Sequence, residues 1–386
     1  EALVATATFD FVAEALALLE SNRPLAILNP RWTETERVAR EKILVATPQA
    51  ETALILFTSG SSGTPKGVEL SKRAIESNTD AVIKSLDFEK ASHQILHLPL
   101  HYAYSLLGQL LPALKLGLTT RLLDGFNETI PLVRASRLDG MWSGVPSHYE
   151  ALLRIMPPEL DVEGVTHLVS AGAPFPVSLR RRLADRFPRA VIYNNYGMTE
   201  CGPRILSFSS RHVDFFTEAA GLPVQGIRAD VDTQGQLVVA GPQLMLGYLG
   251  DAIGTSERIE NGWLKTGDLA TLEAGGLVTV RGRMDDLVKI AGERVSLLEV
   301  EEAIRSVNMI DDAAVFVREH VIQGTQLVAF IVKKGSALDR EGLIRELSKT
   351  LAATKIPRDY REIETLPRLD SGKIDRARLR AILANT

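Results

Sequence analysis

The sequence predicts a large, layered α/β N-terminal domain that includes a β-rich subdomain, followed by a small α+β C-terminal domain. Three observations predict it. In the first two thirds, short apolar runs alternate with amphipathic stretches of about three helical turns, the rhythm of parallel β-α-β units. After about position 220 that rhythm gives way to short strands broken by polar or Gly-Gly turns, as in hairpins or a small barrel. Beyond Met284, a helix, two strands and another helix occupy about a hundred residues, an ordinary domain size. These textures place the large domain at 1–283, its β-rich part at about 220–283 and the small domain at 284–386.

The elements follow in order. VEL (68–70) reads as a strand and Ser71 starts the next helix, with Leu70 and Ile75 spaced as a hydrophobic staple. DGMWSGVP (139–146) reads as a buried strand, and Ser147 is placed to cap the helix HYEALLRIM. The strand VTHLVSAG (165–172), the helix VSLRRRLADRF (177–187) and the strand AVIYN (190–194) continue the alternation. IRADVDTQGQLVVAG and LATLEAGGLVTVRGR are hairpin-like, and RGRMDD (281–286) marks the boundary. Ser296 and Glu299 then have capping-box spacing. Strands at 313–317 and 326–332 and a helix at 341–352 complete the small domain.

Composition narrows the function. Of 386 residues, 45% are hydrophobic and 24% charged, values of a globular chain with a large core. A formal charge of −4 gives no electrostatic pull toward nucleic acid or a membrane surface. No apolar run approaches the ~18–20 residues of a membrane span. Cys201 is the only cysteine, which excludes an internal disulfide and a cysteine-based metal site and fits a reducing, cytoplasmic compartment. The chain begins at Glu1 rather than Met, which leaves a targeting segment open. His97 and His101 have helical i,i+4 spacing, but Pro99 between them argues against a zinc pair on a helix.

After the apolar run ALILF comes TSGSSGTPKG (58–67). Gly60 and Gly63 would let main-chain N–H groups approach an anion. Thr58, Ser59, Ser61, Ser62 and Thr64 offer hydroxyls, and Lys66 a positive charge. The loop fails the Walker pattern: Pro65 stands where its second Gly belongs and Gly67 follows the lysine. Taken alone, it reads either as a solvated Ser/Gly turn or as a hairpin loop that grips phosphates.

The rest of the chain decides between the two. TSGSSGTPKG resembles the signature loop of the adenylate-forming superfamily: acyl- and aryl-CoA synthetases, peptide-synthetase adenylation domains and luciferases. The resemblance continues in order through SAGAPF (170–175), NNYGMTE (194–200), GQLVVAGPQLMLGY (235–248), GWLKTGDL (262–269), RGRMDDLVKIAGERVSLLEVEEAI (281–304) and LPRLDSGKIDR (366–376). It implies an ATP-dependent carboxylic acid–CoA ligase that forms an acyl-adenylate, then an acyl-CoA thioester. ATP and coenzyme A are its co-substrates and Mg²⁺ its metal.

Site roles follow from the resemblance residue by residue. The 58–64 loop and Lys66 would hold the β- and γ-phosphates. Tyr196 would stack on adenine, flanked by Asn195 and Gly197; Thr199 would touch the α-phosphate and Glu200 would hold Mg²⁺. Asp268 would accept both ribose hydroxyls and Arg283 would contact ribose or phosphate; bottom-up, these are a turn aspartate and a solvated arginine. Lys373, on its face a surface lysine, would pair with the attacking carboxylate and the α-phosphate. Asp285 matches a hinge, so the small domain is expected to be mobile, with Lys289 and Gly292 on a second face that meets the thiol arm.

The pocket for the acid would be walled by His101 or Tyr102, the SAGAP backbone (Ala171, Gly172, Ala173), Asn195 and Trp142, which reads equally as a core tryptophan. An aryl or aryl-like acid is preferred over a fatty acid. A phosphopantetheinylated carrier protein is the alternative acceptor. A nucleotide-binding homologue without turnover would carry damaged motifs, whereas Lys373, Glu200 and Asp268 all stand. No feature marks luciferase chemistry. Only 57 residues precede the loop, fewer than the family commonly has, so the chain is either a naturally short member or one whose beginning is absent; a reduced N-terminal part would leave an open face for a homodimer to cover.

Overall fold

TALILFT is β-branched or apolar at nearly every position, which suits a strand covered on both faces. A computed structural model of the chain describes residues 1–21, 23–58, 65–135, 137–284, 287–290, 293–320, 324–335, 338–369 and 374–384. In it Thr52–Thr58 is such a strand, and it turns back antiparallel onto Lys66–Ser71 with Thr58 opposite Lys66. Thr58 and Lys66 thus end the two paired strands; the expected phosphate-loop residues Ser59 to Thr64 lie outside the described residues.

The chain divides into two compact units. One comprises Glu1–Asp232, Leu237–Thr266 and Leu272–Thr279; the other comprises Thr233–Gln236, Gly267–Thr271 and Val280–Thr386. The chain thus passes into the C-terminal unit at 279/280 rather than 283/284. Two short segments of the β-rich region, 233–236 and 267–271, also group with that unit. The hairpin and its Gly-Gly turn read as one texture in the sequence, which carries no sign of this division.

The first unit holds two large sheets. In the five-stranded sheet, Ala2–Val4, Leu25–Leu28 and Thr52–Thr58 run parallel, and Lys66–Ser71 and Gly247–Tyr248 follow antiparallel. The seven-stranded sheet has the order Leu222–Pro223, Leu206–Ser209, Val191–Tyr196, Asp161–Ser170, Arg137–Gly144, His93–Leu96, Thr119–Leu122. Its last five strands are parallel. The chain steps outward from His93–Leu96 to Thr119–Leu122 and then returns on the other side at Arg137–Gly144. That reversal is the topological switch of a doubly wound sheet, and ligands bind outside the carboxyl ends of strands at such a point.

The predicted helices sit where the alternation put them, at Pro146–Ile155 and Val177–Arg186. One detail differs. Val145, not Ser147, is the N-cap residue of the first, with Pro146 at its first turn and no side-chain cap bond. Proline is preorganised for that position and lacks the N–H a cap would satisfy, so the helix starts before the serine. Their apolar sides bury Tyr149, Leu152, Leu179 and Leu183 in a core with Trp142, Leu168 and Phe175. An unexpected helix, Ala103–Lys115, contains a π-helical stretch at Leu106–Leu110, and that stretch is entirely buried.

The β-rich strands Arg228–Val231, Gln236–Ala240, Trp263–Leu272, Ile259–Glu260 and Val278–Arg283 lie in one sheet, as expected for 220–283. The C-terminal unit opens with the hairpin Leu287–Ile290 and Glu293–Ser296. Ser296 then caps the helix Leu297–Ser306 by accepting from Glu299 N at 3.3 Å, the expected capping serine. Ile310–His320 and Gly324–Lys333 pair antiparallel, with Asp359–Glu362 parallel to the second. Alternate residues face opposite sides: Ala313 and Val315 enter one core with Ile304 and Leu343, Ala314 and Phe316 another with Leu366 and Leu379. Helices thus cover both faces of this small sheet.

Ser71 caps the helix Lys72–Ser85 by accepting from Ala74 N at 3.1 Å. Ser71→Ala should therefore lower stability by about 1 kcal/mol, read as a lower urea midpoint; an unchanged midpoint would mean this cap bond contributes nothing.

Candidate active site

NNYGMTE begins on the strand Val191–Tyr196 and ends in a single tight turn, Thr199–Cys201. Residues of the strand's last turn are anchored rather than free. Asn195 is buried and donates from Nδ2 to Ser170 O at 3.1 Å, and Tyr196 O accepts from Ile205 N at 2.8 Å. Gly197 is required by a close approach: a Cβ there would collide with the Pro203 carbonyl. Here the glycine makes room for its own chain.

Glu200 is buried, and its carboxylate accepts from Tyr248 Oη at 2.9 Å while its backbone carbonyl accepts from Met245 N at 2.8 Å. Burial, then the Glu200 charge, push the Tyr248 hydroxyl well above its usual pKa, so it stays a donor. Lys66 Nζ lies 4.2 Å over the same tyrosine ring and 3.5 Å from Asp251 Oδ2. The structure therefore brings Glu200 and the lysine at the hairpin base together through Tyr248. Tyr248 and Asp251 were not singled out from the sequence, although Tyr248 closes the block GQLVVAGPQLMLGY. Cys201 next door is fully buried, and burial pushes its thiol up to about 12, which makes it inert.

Among the described residues no group of three or more His, Cys, Asp or Glu side chains is assembled around a metal position. Glu200 is a single hard oxygen donor, which fits Mg²⁺, an ion that keeps waters and rides on substrate phosphates.

Asp268 is nearly buried in the C-terminal unit, and Arg283 Nη1 lies 3.4 Å from its Oδ1, so these two candidates are neighbours. Lys289 is on the hairpin strand opposite Arg294. Asp285, Gly292 and Lys373 lie outside the described residues. The flanks of Lys373 are firmly held: Arg368 bridges Ile374, and Arg376 Nη2 donates to Glu301 Oε1 at 2.6 Å. Buried Glu301 also accepts from Arg305 Nη2 and Val315 N, each at 2.8 Å.

Of the acid-pocket candidates, His101 is buried and Tyr102 half-buried, their ring centroids 4.1 Å apart, so both occupy the turn after His93–Leu96. Ala171 is buried after its strand, and Gly172 has φ +85°, a conformation that favours glycine. Ala173 is half-buried beside it. Trp142 serves the core: its side chain packs with Ile95, Leu138 and Leu168, and its indole N–H donates to Asp139 O at 2.8 Å.

A cluster absent from the sequence reading lies at the switch point. His97 Nε2 and His148 Nδ1 share a 3.0 Å hydrogen bond, and Phe126 stacks on His148 at 4.8 Å. Strand order brings these residues together, so no local pattern could have shown them. Burial, and secondarily His148, push the His97 pKa down to about 3, leaving it neutral.

A doubly wound sheet with an aromatic, hydroxyl and carboxylate at its carboxyl edge, a Lys-based hairpin loop and an α+β unit define an adenylate-forming architecture. The family model for AMP-binding enzymes matches residues 4–249, and that for the AMP-binding enzyme C-terminal domain matches 299–373. The chain belongs to the AMP-binding enzyme family. It is 30% identical over 362 residues to a 4-coumarate–CoA ligase of Pinus taeda, covering 85% of this chain and 65% of that protein. A feruloyl-CoA synthase of an Amycolatopsis species is 28% identical over 395 residues, covering 94% and 80%. Among solved structures, o-succinylbenzoate CoA synthetase of Bacillus subtilis, in complex with its acyl-adenylate intermediate, matches with a TM-score of 0.84 and 22% identity. That match covers 98% of this chain and 87% of the other. These relatives are acid–thiol ligases by name. Among the described residues no helix is long and apolar enough to cross a membrane.

Tyr248→Phe removes the hydroxyl from a buried carboxylate, a bond worth about 1.5–3 kcal/mol. Adenylate formation should fall by about 10-fold or more with the fold retained; unaltered pyrophosphate-release kinetics would remove Tyr248 from the site.

His97 gives a pH prediction. Its folded pKa of about 3 lies below the ordinary 6.5, so under acid the unfolded chain binds a proton that the folded chain refuses. Stability from this site is complete above pH 6.5 and drains as pH falls toward 3, by up to about 1.4 kcal/mol per pH unit. His97→Gln should flatten urea-unfolding stability between about pH 6.5 and 5; an equally steep loss in the variant would assign that titration elsewhere.

Proposed function

We propose that the protein is an ATP-dependent acid–thiol ligase that activates an aryl or aryl-like carboxylic acid as its adenylate and transfers the acyl group to coenzyme A. A carboxylate oxygen attacks the α-phosphorus of ATP, the bond to the β-phosphate breaks, and pyrophosphate leaves. The thiol sulfur then attacks the acyl carbon, and AMP leaves. The observation that carries this reading is the junction of Glu200, Tyr248 and Lys66 at the carboxyl edge of the doubly wound sheet.

Each residue has a role in positioning and charge neutralisation, and no protein nucleophile is needed. Tyr196 stacks on adenine, with Asn195 and Gly197 shaping the strand end beneath it. Thr199 contacts the α-phosphate. Thr58, the 59–64 loop and Lys66 hold the β- and γ-phosphates. Asp268 accepts from the ribose hydroxyls, with Arg283 beside it. Glu200 would hold Mg²⁺, which neutralises phosphate charge when bound. Lys373 pairs with the attacking carboxylate. Asp285 is the hinge, after which Lys289 and Gly292 would meet the thiol arm. The names of the two relatives, a 4-coumarate and a ferulate ligase, support an aryl acid.

The test is pyrophosphate release across a panel of aryl, aliphatic and fatty acids, with and without coenzyme A, for the wild type and Lys373→Ala. Loss of the lysine contact should slow release by about 100-fold or more, in keeping with ~3 kcal/mol for a transition-state donor. Release that needs no acid, or that survives Lys373→Ala undiminished, would sink the ligase reading. Adenylate formation that ignores coenzyme A would instead point to a carrier-protein thiol.

A further inference from the structure

Arg180 is the first of three consecutive arginines in VSLRRRLADRF, and on paper nothing separates it from the other two. The structure buries it, with 3% of the residue exposed, and sets its guanidinium 5.5 and 5.3 Å from the rings of Phe175 and Phe215. Burial lowers its pKa to about 10, against the pull of Glu218, so it remains a cation at neutral pH. Nε donates to Phe175 O at 2.8 Å. Nη1 donates to Phe215 O at 2.8 Å and to Thr217 O at 3.0 Å, with Ala219 O beyond them at 3.5 Å.

These carbonyls belong to two segments outside regular structure. One, 171–176, runs from the end of the strand Asp161–Ser170 to the start of the arginine's own helix. The other, 210–220, lies between the strands Leu206–Ser209 and Leu222–Pro223. Buried carbonyls without a helix or ladder need donors, and one guanidinium serves both segments. Its planar fork aims Nε and Nη1 at different acceptors at once, which the point charge of a lysine does not. A cation in an apolar core costs several kcal/mol unless hydrogen bonds compensate it, and apolar residues of similar volume often serve stability as well. What the charge adds here is the connection.

The far ends of both segments are held by neighbouring residues of NNYGMTE. Asn195 Nδ2 donates to Ser170 O at 3.1 Å, and Asn194 Nδ2 donates to Ala220 O at 3.3 Å. Successive strand residues point to opposite faces, so the two asparagines reach the two segments from one strand end. A closed circuit results. It runs from Asn195 through Ser170 and the SAGAP backbone to Phe175, across Arg180 to Phe215 and Thr217, and back through Ala220 to Asn194. Ala171, Gly172 and Ala173, the expected backbone wall of the acid pocket, are thus strung between two fixed carbonyls, and Arg180 fixes one of them.

We infer that Arg180 is a positioning residue for the ligase reaction: it holds the SAGAP wall in register with the strand end that carries the nucleotide motif. This rests on the ligase reading and adds to it a residue that acts only through the backbone. Acid and nucleotide react when their reacting atoms are held about 3–3.5 Å apart. A wall free to shift lets the acid settle in several poses, which weakens its binding and blurs the choice among acids.

The experiment measures acid-dependent pyrophosphate release over a series of aryl acids graded in size, for the wild type, Arg180→Met, Asn194→Ala and the double variant. Arg180→Met should raise KM for the best acid about 10-fold, the scale of one lost hydrogen bond to a charged group. The kcat/KM ratio between that acid and its larger neighbours should shrink by about 3-fold or more. Neither quantity depends on how much of the enzyme is folded, so a loss of stability alone would lower kcat and leave both unmoved. Asn194→Ala should raise the same KM by about 3-fold or more. Because either change opens the circuit, the double variant should be no worse than Arg180→Met.

A lower kcat with unchanged KM and acid ratio, or single effects that multiply in the double variant, overturns the inference and leaves the ligase reading standing. If the wild type releases no pyrophosphate with any acid, the ligase reading fails and this inference falls with it. Should Arg180→Met fail to fold, Asn194→Ala decides: a raised KM upholds the circuit, and an unaltered one overturns it.

Discussion

A carboxylate buried where two sheets meet sets the terms for the rest of the large unit. Glu200 belongs to the turn after a strand of the seven-stranded sheet. Its side chain is held by Tyr248, which pairs with Val68 in the five-stranded sheet. Removing a charge from water costs several kcal/mol unless hydrogen bonds replace the lost hydration. The Tyr248 hydroxyl and the Met245–Glu200 backbone bond therefore fasten one sheet to the other. The hairpin that carries Lys66 is registered against Glu200 by the same contacts.

The C-terminal unit repeats the device with different residues. Glu301 is 1% exposed and is met by two arginines and a backbone N–H, so its charge is fully compensated. One of those arginines, Arg376, follows closely on the Arg368–Ile374 bridge, so Glu301 ties the C-terminal helix to the sheet of this unit.

Much of the architecture was legible because it is written in short-range patterns. The capping serines Ser71 and Ser296, the hairpin after ALILF and the strand–helix alternation all depend on residues within a turn or two of one another. Ser147 misled because the preceding proline takes over the helix start, a competition between two local signals. The nucleotide motif was legible as a resemblance. His97 with His148, Tyr248 with Glu200, and Glu301 with Arg376 were not, since each pair is made by strand order or by packing across dozens of residues. Trp142 was ambiguous for a related reason: a strand residue's face is fixed only when its neighbours are known.

Arg204 shows the same limit in its sharpest form, because an exposed and a buried arginine are identical on paper. What separates them is the space made around this one. Gly197 admits the Pro203 carbonyl, and Gly108 admits the guanidinium. Each glycine costs roughly 0.5–1 kcal/mol relative to alanine within regular structure, and the buried charge adds more. Selection for stability alone would place an apolar side chain against Tyr104.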